Sequence, residues 1–221
     1  QVGKRTKKVV AMVAGEIEKL DQNADSTALA EKILKAAKVD VALEKGKSVP
    51  EAKALFFISR AQAKALAELA VEGCEDKAKL QNALIASPAV DMALFGRMVA
   101  SDPSLNYDAA AQVAHSISTH RVQNEYDYFT AVDDFAPEDN AGAGHLGTVE
   151  YNSSTLYRYA TVNVLELEKH LGKEDAALAV KAFAQAFIRS MPTGKQNTFA
   201  NRTLPDAVYI AVRGDQPVNL C

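Results

Sequence analysis

The sequence predicts an α+β fold, with helices dominating the first part of the chain and strands interleaved with helices in the rest. Apolar residues recur at helical spacing up to about residue 90. From His120 the period changes to two, and Val122–Val132 carries the densest group of aromatic residues. A helical pattern returns over Asp175–Met191. Helices followed by strands that are interleaved with helices are typical of the α+β class. The sequence contains no internal repeat.

Composition and charge restrict the class of protein. The chain has 221 residues, of which 48% are hydrophobic and 24% charged, enough to bury the core of one large or two small domains. No stretch approaches the roughly 18 apolar residues that a membrane span needs. The net charge of −3 argues against bulk attraction to nucleic acid. Cys74 and Cys221 are too few for a disulfide framework and indicate free thiols in a reducing, cytoplasmic compartment.

The charge is unevenly distributed along the chain. Residues 1–90 hold 15 basic and 12 acidic residues, whereas residues 91–221 hold 10 and 16. The break near residue 90 predicts two structural regions.

The first helices follow from apolar spacing and from capping residues. Val9–Leu20 repeats apolar residues at helical spacing and contains glutamates, which favours a folded helix over a secretory leader. Ser26 is the expected cap of the next helix. Ser59 followed by Gln62 matches a capping box and predicts a third helix, which Gly73 ends.

The segment before Ser59 has two interpretations. Ala54–Ser59 is short, apolar and aromatic, which favours a buried strand that leads into the third helix. The alternative is one long helix from Ser48, because Glu51 also stands at the capping-box offset. Glu75–Ile85 predicts a further short helix on either interpretation.

The second part predicts a long hairpin at 120–155 whose tip is Pro137–Gly144. The other elements expected after residue 88 are a strand at Val90–Met98, a helix at Asp108–Ser118, a strand at Thr155–Val164, a helix at Asp175–Met191 and a strand at Ala207–Val212.

The histidines do not make a convincing metal site. His115 and His120 are five residues apart, which is poor for one helical face, and His145 lies beyond the hairpin tip. Histidines that are hydrogen-bonded within the fold are the favoured interpretation. The sequence therefore predicts no metal and no cofactor.

The aromatic residues of the hairpin have two possible roles. Tyr126, Tyr128 and Phe129 could stack on bases, or they could pack against the protein's own core, and the residues alone favour the core. Met98 would ordinarily be a core filler. Lys195, in a loop with Gly194, could meet a phosphate or be solvated.

Six blocks in order resemble the CasC backbone subunit of the type I-E CRISPR surveillance complex, Cascade. Together they extend over about residues 88–212, and their order makes the resemblance specific. The blocks are Val90–Met98, Ala114–His120, Tyr128–Asp134, His145–Thr148, Tyr157–Ala160 and Gly194–Gln196.

The resemblance implies a hand-like fold. Residues 1–87 would form a helical fingers domain, and residues 88–221 would form part of an RRM-like, ferredoxin-type palm. The hairpin at about 120–155 would be a thumb that interrupts this palm. Family members are longer at both ends, so the first palm strand, with its basic residues, is expected outside these 221 residues.

The resemblance also implies a non-catalytic role. Family members bind the CRISPR RNA guide, stack head to tail with other copies of themselves, and join other Cascade subunits in antiviral defence. Target DNA is then recognised through pairing with the guide rather than by the subunit itself. No membrane partner is implied.

The resemblance assigns a set of RNA-binding residues. In the family, three consecutive thumb residues lie at the kink where a base is displaced, a methionine is wedged against that base, and a palm loop lies near the RNA. The matching residues here are Tyr128, Phe129, Thr130, Met98, Lys195 and Gln196.

Two other functions remain as alternatives. A metal-dependent ribonuclease that cuts target RNA would use a loop carboxylate, with Asp102 or Asp133 as candidates. A protein-binding module would instead use the helices of residues 1–87.

Overall fold

Helices and strands are mixed along the chain, as the sequence predicts. In the computed structural model, residues 2–99, 101–135 and 145–218 are described, so the predicted tip Pro137–Gly144 and Cys221 lie outside the described residues. The helices are α1 (Val9–Leu20), α2 (Ser26–Ala36), α3 (Arg60–Val71), α4 (Lys77–Ile85), α5 (Val90–Phe95), α6 (Val164–Leu171), α7 (Lys173–Arg189) and α8 (Gln196–Phe199). A 3₁₀ turn follows α5 at Pro103–Leu105.

The strands are short and pair two by two. They are β1 (Lys4–Thr6), β2 (Val41–Ala42), β3 (Glu51–Ala52), β4 (Phe56–Ile58), β5 (Ala111–Val113), β6 (Ile117–Ser118), β7 (Glu125–Ala131), β8 (His145–Tyr151), β9 (Leu156–Tyr157) and β10 (Ala160–Val162). The pairs are β1–β4, β2–β3, β5–β10, β6–β9 and β7–β8. Within the described residues, no helix is long and apolar enough to cross a membrane.

The main core lies among α1 to α4. Val9, Val13 and Ile17 recur every four residues along α1 and are fully buried. Leu66 on α3 is also fully buried, and the small alanines on the same helix let α1 and α3 pack closely. A second apolar cluster joins α5, α6 and α7 around Leu167.

The capping box at the start of α3 is confirmed. Ser59 Oγ accepts a hydrogen bond from Gln62 N at 3.0 Å, and Gln62 Oε1 accepts one from Ser59 N at 3.1 Å. The strand β4 leads directly into it, so the long helix from Ser48 is wrong.

The cap of α2 is Asp25 rather than Ser26. Asp25 Oδ1 accepts from Ala28 N at 3.0 Å, whereas the Ser26 hydroxyl donates to Glu18 on α1 at 2.9 Å. Either residue type suits a cap, and the contact with α1 decides between them.

The strand expected at Val90–Met98 is wrong, because residues 90–95 form α5. Val90, Met92 and Leu94 suggest an alternation of apolar residues, but Met92, Ala93 and Leu94 are all buried, and a helix of six residues is too short to display a helical period. Gly96 ends the helix at φ +79°, a conformation that suits glycine.

The helix expected at Asp108–Ser118 is also wrong. This segment holds β5 and β6, and the apolar residues Val113 and Ile117, which suggested a helical face, are exposed. The backbone of this segment is extended because β5 pairs with β10 and β6 pairs with β9, two strands that are distant in sequence.

The chain after the hairpin differs from the prediction as well. The strand expected at Thr155–Val164 is split into β9 and β10, and Val164 begins α6, a helix that the sequence pattern did not reveal. The strand expected at Ala207–Val212 is wrong, because this segment pairs with no strand among the described residues.

The chain divides into two compact units. The main unit comprises residues 1–112 and 161–221, and the hairpin unit comprises Val113–Ala160. The long hairpin predicted at 120–155 is confirmed by the antiparallel pairing of β7 with β8. None of the described residues in the hairpin unit is buried.

Candidate nucleic-acid interface

The hairpin presents its aromatic residues on two different faces. In the β7–β8 register, Tyr128 lies opposite Thr148, and Phe129 lies opposite Gly147. Because successive side chains of a strand point to opposite sides, Tyr128 and Thr130 share one face and Phe129 lies on the other. The three predicted hairpin residues therefore do not form one continuous patch.

The ring of Phe129 lies against the backbone of Gly147. A Cβ placed on Gly147 would be 2.5 Å from Cζ of Phe129 and 2.9 Å from its Cε1. The ring centroid is also 5.7 Å from that of His145 on β8. A glycine at position 147 thus leaves room for the ring to lie across the neighbouring strand.

The aromatic residues do not pack into the protein's own core. Tyr128 is 72% exposed and Phe129 is 46% exposed, so the expectation of core packing is wrong. The same holds for Met98, which is 85% exposed rather than a core filler. These three side chains are therefore solvent-exposed and belong to none of the apolar core clusters.

The hairpin unit is strongly acidic. Residues 113–160 contain 2 basic and 7 acidic residues, whereas the rest of the chain contains 23 and 21. The Tyr151 hydroxyl donates to Glu125 at 3.1 Å, and this hydrogen bond raises the pKa of Tyr151. Such a unit does not attract phosphates by its net charge, so its exposed rings, rather than its charges, are its candidate binding groups.

Met98 is held between two buried residues. Arg97 is 4% exposed and Val99 is 7% exposed. The Arg97 backbone exchanges two hydrogen bonds with Tyr107, and Val99 N donates to Asn106 Oδ1 at 2.6 Å. The exposed side chain therefore projects from backbone that is bonded on both sides.

The Arg97 guanidinium is fixed by buried oxygen atoms. Its Nε and one terminal nitrogen donate to the Leu105 carbonyl at 2.9 and 2.7 Å, and that nitrogen also donates to the Leu84 carbonyl at 2.9 Å. The other terminal nitrogen donates to the Phe57 carbonyl at 3.3 Å and to Gln62 Oε1 at 3.5 Å. Burial lowers the pKa of Arg97 to about 10, which leaves it charged at neutral pH.

Two aromatic rings flank the same guanidinium. Its carbon lies 4.8 Å from the ring centre of Tyr107 and 5.6 Å from that of Phe56. Burial raises the pKa of Tyr107, and the charge of Arg97 opposes that rise. Sequence reasoning missed this arginine; the only available signal was a single cation directly after an apolar run and a glycine.

Lys195 and Gln196 lie at the start of the short helix α8. Lys195 has a left-handed backbone with φ +58°, and its carbonyl accepts from Phe199 N at 3.0 Å. The Lys195 side chain is exposed and Gln196 is half-buried. Met98 and these two residues belong to the main unit, whereas the predicted aromatic residues belong to the hairpin unit.

The two candidate carboxylates of the ribonuclease alternative have structural partners. Asp102 accepts from Ser104 N, Ser104 Oγ and Gln81 Nε2 at 3.1, 2.6 and 2.9 Å, and the bond from Ser104 is the main reason that its pKa is lowered. Asp133 Oδ1 accepts from Phe135 N at 3.0 Å. Both act as turn caps.

The histidines do not assemble a metal site in the described part of the chain. No group of three metal-ligating side chains occurs there. His120 instead bridges two backbone groups: its Nδ1 lies 3.0 Å from the Arg121 carbonyl, and its Nε2 accepts from Thr155 N at 3.2 Å. The ring therefore joins the segments that precede β7 and follow β8.

The family of CT1975-like proteins matches residues 1–221, the whole chain. The chain belongs to this family. No curated protein sequence matches it.

The chain is also similar to chains of solved structures. A chain from a CRISPR RNA-guided surveillance complex, pre-nicking, is 32% identical, with a TM-score of 0.77 over 99% of this chain and 65% of that one. A second, from a CRISPR RNA-guided surveillance complex, is 40% identical, with a TM-score of 0.54 over 73% of this chain and 58% of that one. The chain thus spans less than two thirds of either matched chain.

Proposed function

We propose that this CT1975-like chain is part of a guide-RNA-binding backbone subunit of a CRISPR surveillance complex. The observation that carries the proposal is the 32% identity to a chain of such a complex over 99% of these residues, at a TM-score of 0.77. The exposed hairpin supports it, because a unit whose described residues include none that is buried, and whose rings face solvent, is suited to binding a single strand.

The RNA contacts combine stacking with charge. At the displaced base, Tyr128 and Thr130 contact the RNA from one face of the hairpin and Phe129 from the other, and Met98 lies against the base. Lys195 and Gln196, in the loop at the start of α8, contact the backbone of the guide RNA. Because the hairpin unit is acidic, the neutralisation of phosphates falls to cations of the main unit and to residues beyond these 221.

The domains of the subunit are proposed from its resemblance to the CasC family. Residues 1–87 form the fingers, residues 88–221 form part of an RRM-like palm, and about 120–155 form the thumb. Copies bind head to tail along the guide in the cytoplasm, as in the CasC subunit of type I-E complexes. Other subunits of the complex and the guide length set the size of the filament, because heterologous contacts alone do not close.

The hairpin contact is tested by comparing two phenylalanines of the same unit in the full-length protein. Phe129→Ala is expected to weaken binding to a single-stranded guide RNA by about 5- to 150-fold, the range of one base stack. Phe135→Ala is the matched control, because Phe135 is also exposed but lies outside the six blocks. Equal affinities of Phe129→Ala and the unmodified protein in a mobility-shift assay would contradict the hairpin assignment.

The loop contact is tested through its salt dependence. Lys195→Ala is expected to reduce the slope of log affinity against log salt by about 0.7, the contribution of one phosphate contact on single-stranded nucleic acid. Lys181→Ala, at an exposed position on α7, is the control. Phe129→Ala should lower affinity without changing this slope, and an unchanged slope in Lys195→Ala would remove Lys195 from the site.

The subunit is proposed to be non-catalytic. Incubation of the assembled complex with complementary RNA and Mg²⁺ tests this directly. Cuts at regular intervals, lost on replacing Asp133 or Asp102 with Ala, would contradict the proposal and favour the ribonuclease alternative.

A further inference from the structure

The segment around Met98 has an unusual construction for an exposed loop. A side chain that is 85% exposed stands between two residues that are almost completely buried. Gly96, two residues before Met98, has a φ of +79°, and a Cβ on this glycine would lie 2.9 Å from the Tyr107 carbonyl oxygen. The backbone path into Met98 is therefore sterically restricted as well as hydrogen-bonded.

Two residues outside the predicted site fix this path. On the N-terminal side, Arg97 is tied to the carbonyls of Leu105, Leu84 and Phe57. On the C-terminal side, the Asn106 side chain accepts from Val99 N at 2.6 Å. Arg97 directly precedes Met98, and Asn106 is bonded to the backbone N–H of the residue that follows Met98, so their effect on Met98 passes through the backbone.

We infer that Arg97 and Asn106 are positioning residues that hold Met98 in the conformation in which it meets RNA. The inference rests on the proposed function, since it concerns the same RNA site. Its physical basis is conformational entropy: a residue already ordered in the free protein loses less freedom on binding than one in a loose loop.

Asn106 provides the sharper test, because its removal leaves the guanidinium network in place. In the full-length protein, Asn106→Ala is expected to weaken guide-RNA binding by about 5- to 30-fold, the effect of having to order one backbone residue on binding. In a Met98→Ala background the same substitution should have almost no effect on affinity, because there is no longer a side chain to position.

Asn163 offers a matched control in the same unit. Its side chain also accepts a backbone hydrogen bond, from Glu166 N at 3.2 Å at the start of α6. Asn163→Ala should lower stability, but its effect on RNA affinity should be the same with and without Met98. A purely structural role of Asn106 would give that additive behaviour too.

A spectroscopic measurement tests the positioning without RNA. The chain has four methionines, so the ¹³C-labelled methyl group of Met98 can be assigned by substitution. Asn106→Ala should change the shift and relaxation of this methyl group, while Asn163→Ala should not.

Three results would overturn the inference: additive effects of Asn106→Ala and Met98→Ala, an unchanged Met98 methyl signal in Asn106→Ala, or unchanged RNA binding in Met98→Ala. The last result would remove Met98 from the RNA site. The proposed function would still be judged separately, by Phe129→Ala and Lys195→Ala.

Discussion

Substituting Gly147 with Ala tests how the hairpin holds the ring of Phe129. The new Cβ would begin 2.5 Å from Cζ of the ring, whereas carbon atoms in ordinary contact lie about 3.5–4.0 Å apart. The ring must therefore retreat by about 1 Å or more, or tip away from β8. A base stacked on Phe129 would lose contact on that side, so the expected loss of RNA affinity is most of that caused by Phe129→Ala, about 1–3 kcal/mol.

The assay for Gly147→Ala is the affinity for single-stranded guide RNA at fixed salt, measured by fluorescence anisotropy in the full-length protein. Gly15→Ala is the matched control, because a Cβ on Gly15 in α1 would meet nothing within 4 Å and should stabilise the helix by about 0.5–1 kcal/mol. Combining Gly147→Ala with Phe129→Ala should add little to either change alone. Wild-type affinity in Gly147→Ala, alongside weak binding in Phe129→Ala, would refute the idea that the glycine sets the ring's position.

Two further predictions concern the main unit. Arg97→Met removes the donors to the buried carbonyls of Leu105 and Phe57, at about 1–3 kcal/mol each, so urea titration should give a free energy of unfolding about 2–6 kcal/mol lower. Unchanged stability would mean that these carbonyls find other donors. Asp102 has a lowered pKa in the fold, so its carboxylate stabilises the protein above the pKa of the unfolded chain, and this contribution is lost as the pH falls through the folded value. Asp102→Ala should therefore show a smaller fall of Tm on acidification than the wild type, and parallel curves would contradict the cap role.

Local signals were sufficient where one segment determines its own structure. The capping box of Ser59 and Gln62 needs only residues three apart, and the period of two over β7 reflects the strand itself. In both cases the interactions that decide the structure are short-range in sequence. The helix at Val9–Leu20 was predictable for the same reason, since its apolar residues repeat over more than three turns.

Non-local contacts decided the segments that sequence reasoning missed. Six residues of α5 are too few to display a helical period, and the packing of Met92 beside Phe57 and Tyr107 selects the helix. The interactions of Arg97 join residues up to 40 positions away, which no local pattern reveals. The period of two also could not show whether the faces of β7 are covered, so it did not reveal that Phe129 is exposed.

The absence of buried residues from the described part of the hairpin unit has a calorimetric consequence. The heat-capacity change and the denaturant dependence of unfolding scale with the surface that unfolding exposes. The hairpin unit contributes little to that newly exposed surface. Unfolding curves of the free protein would therefore report the main unit almost alone. Burial of the hairpin's rings by a partner would instead appear in the binding reaction, as a negative heat-capacity change when these rings leave water.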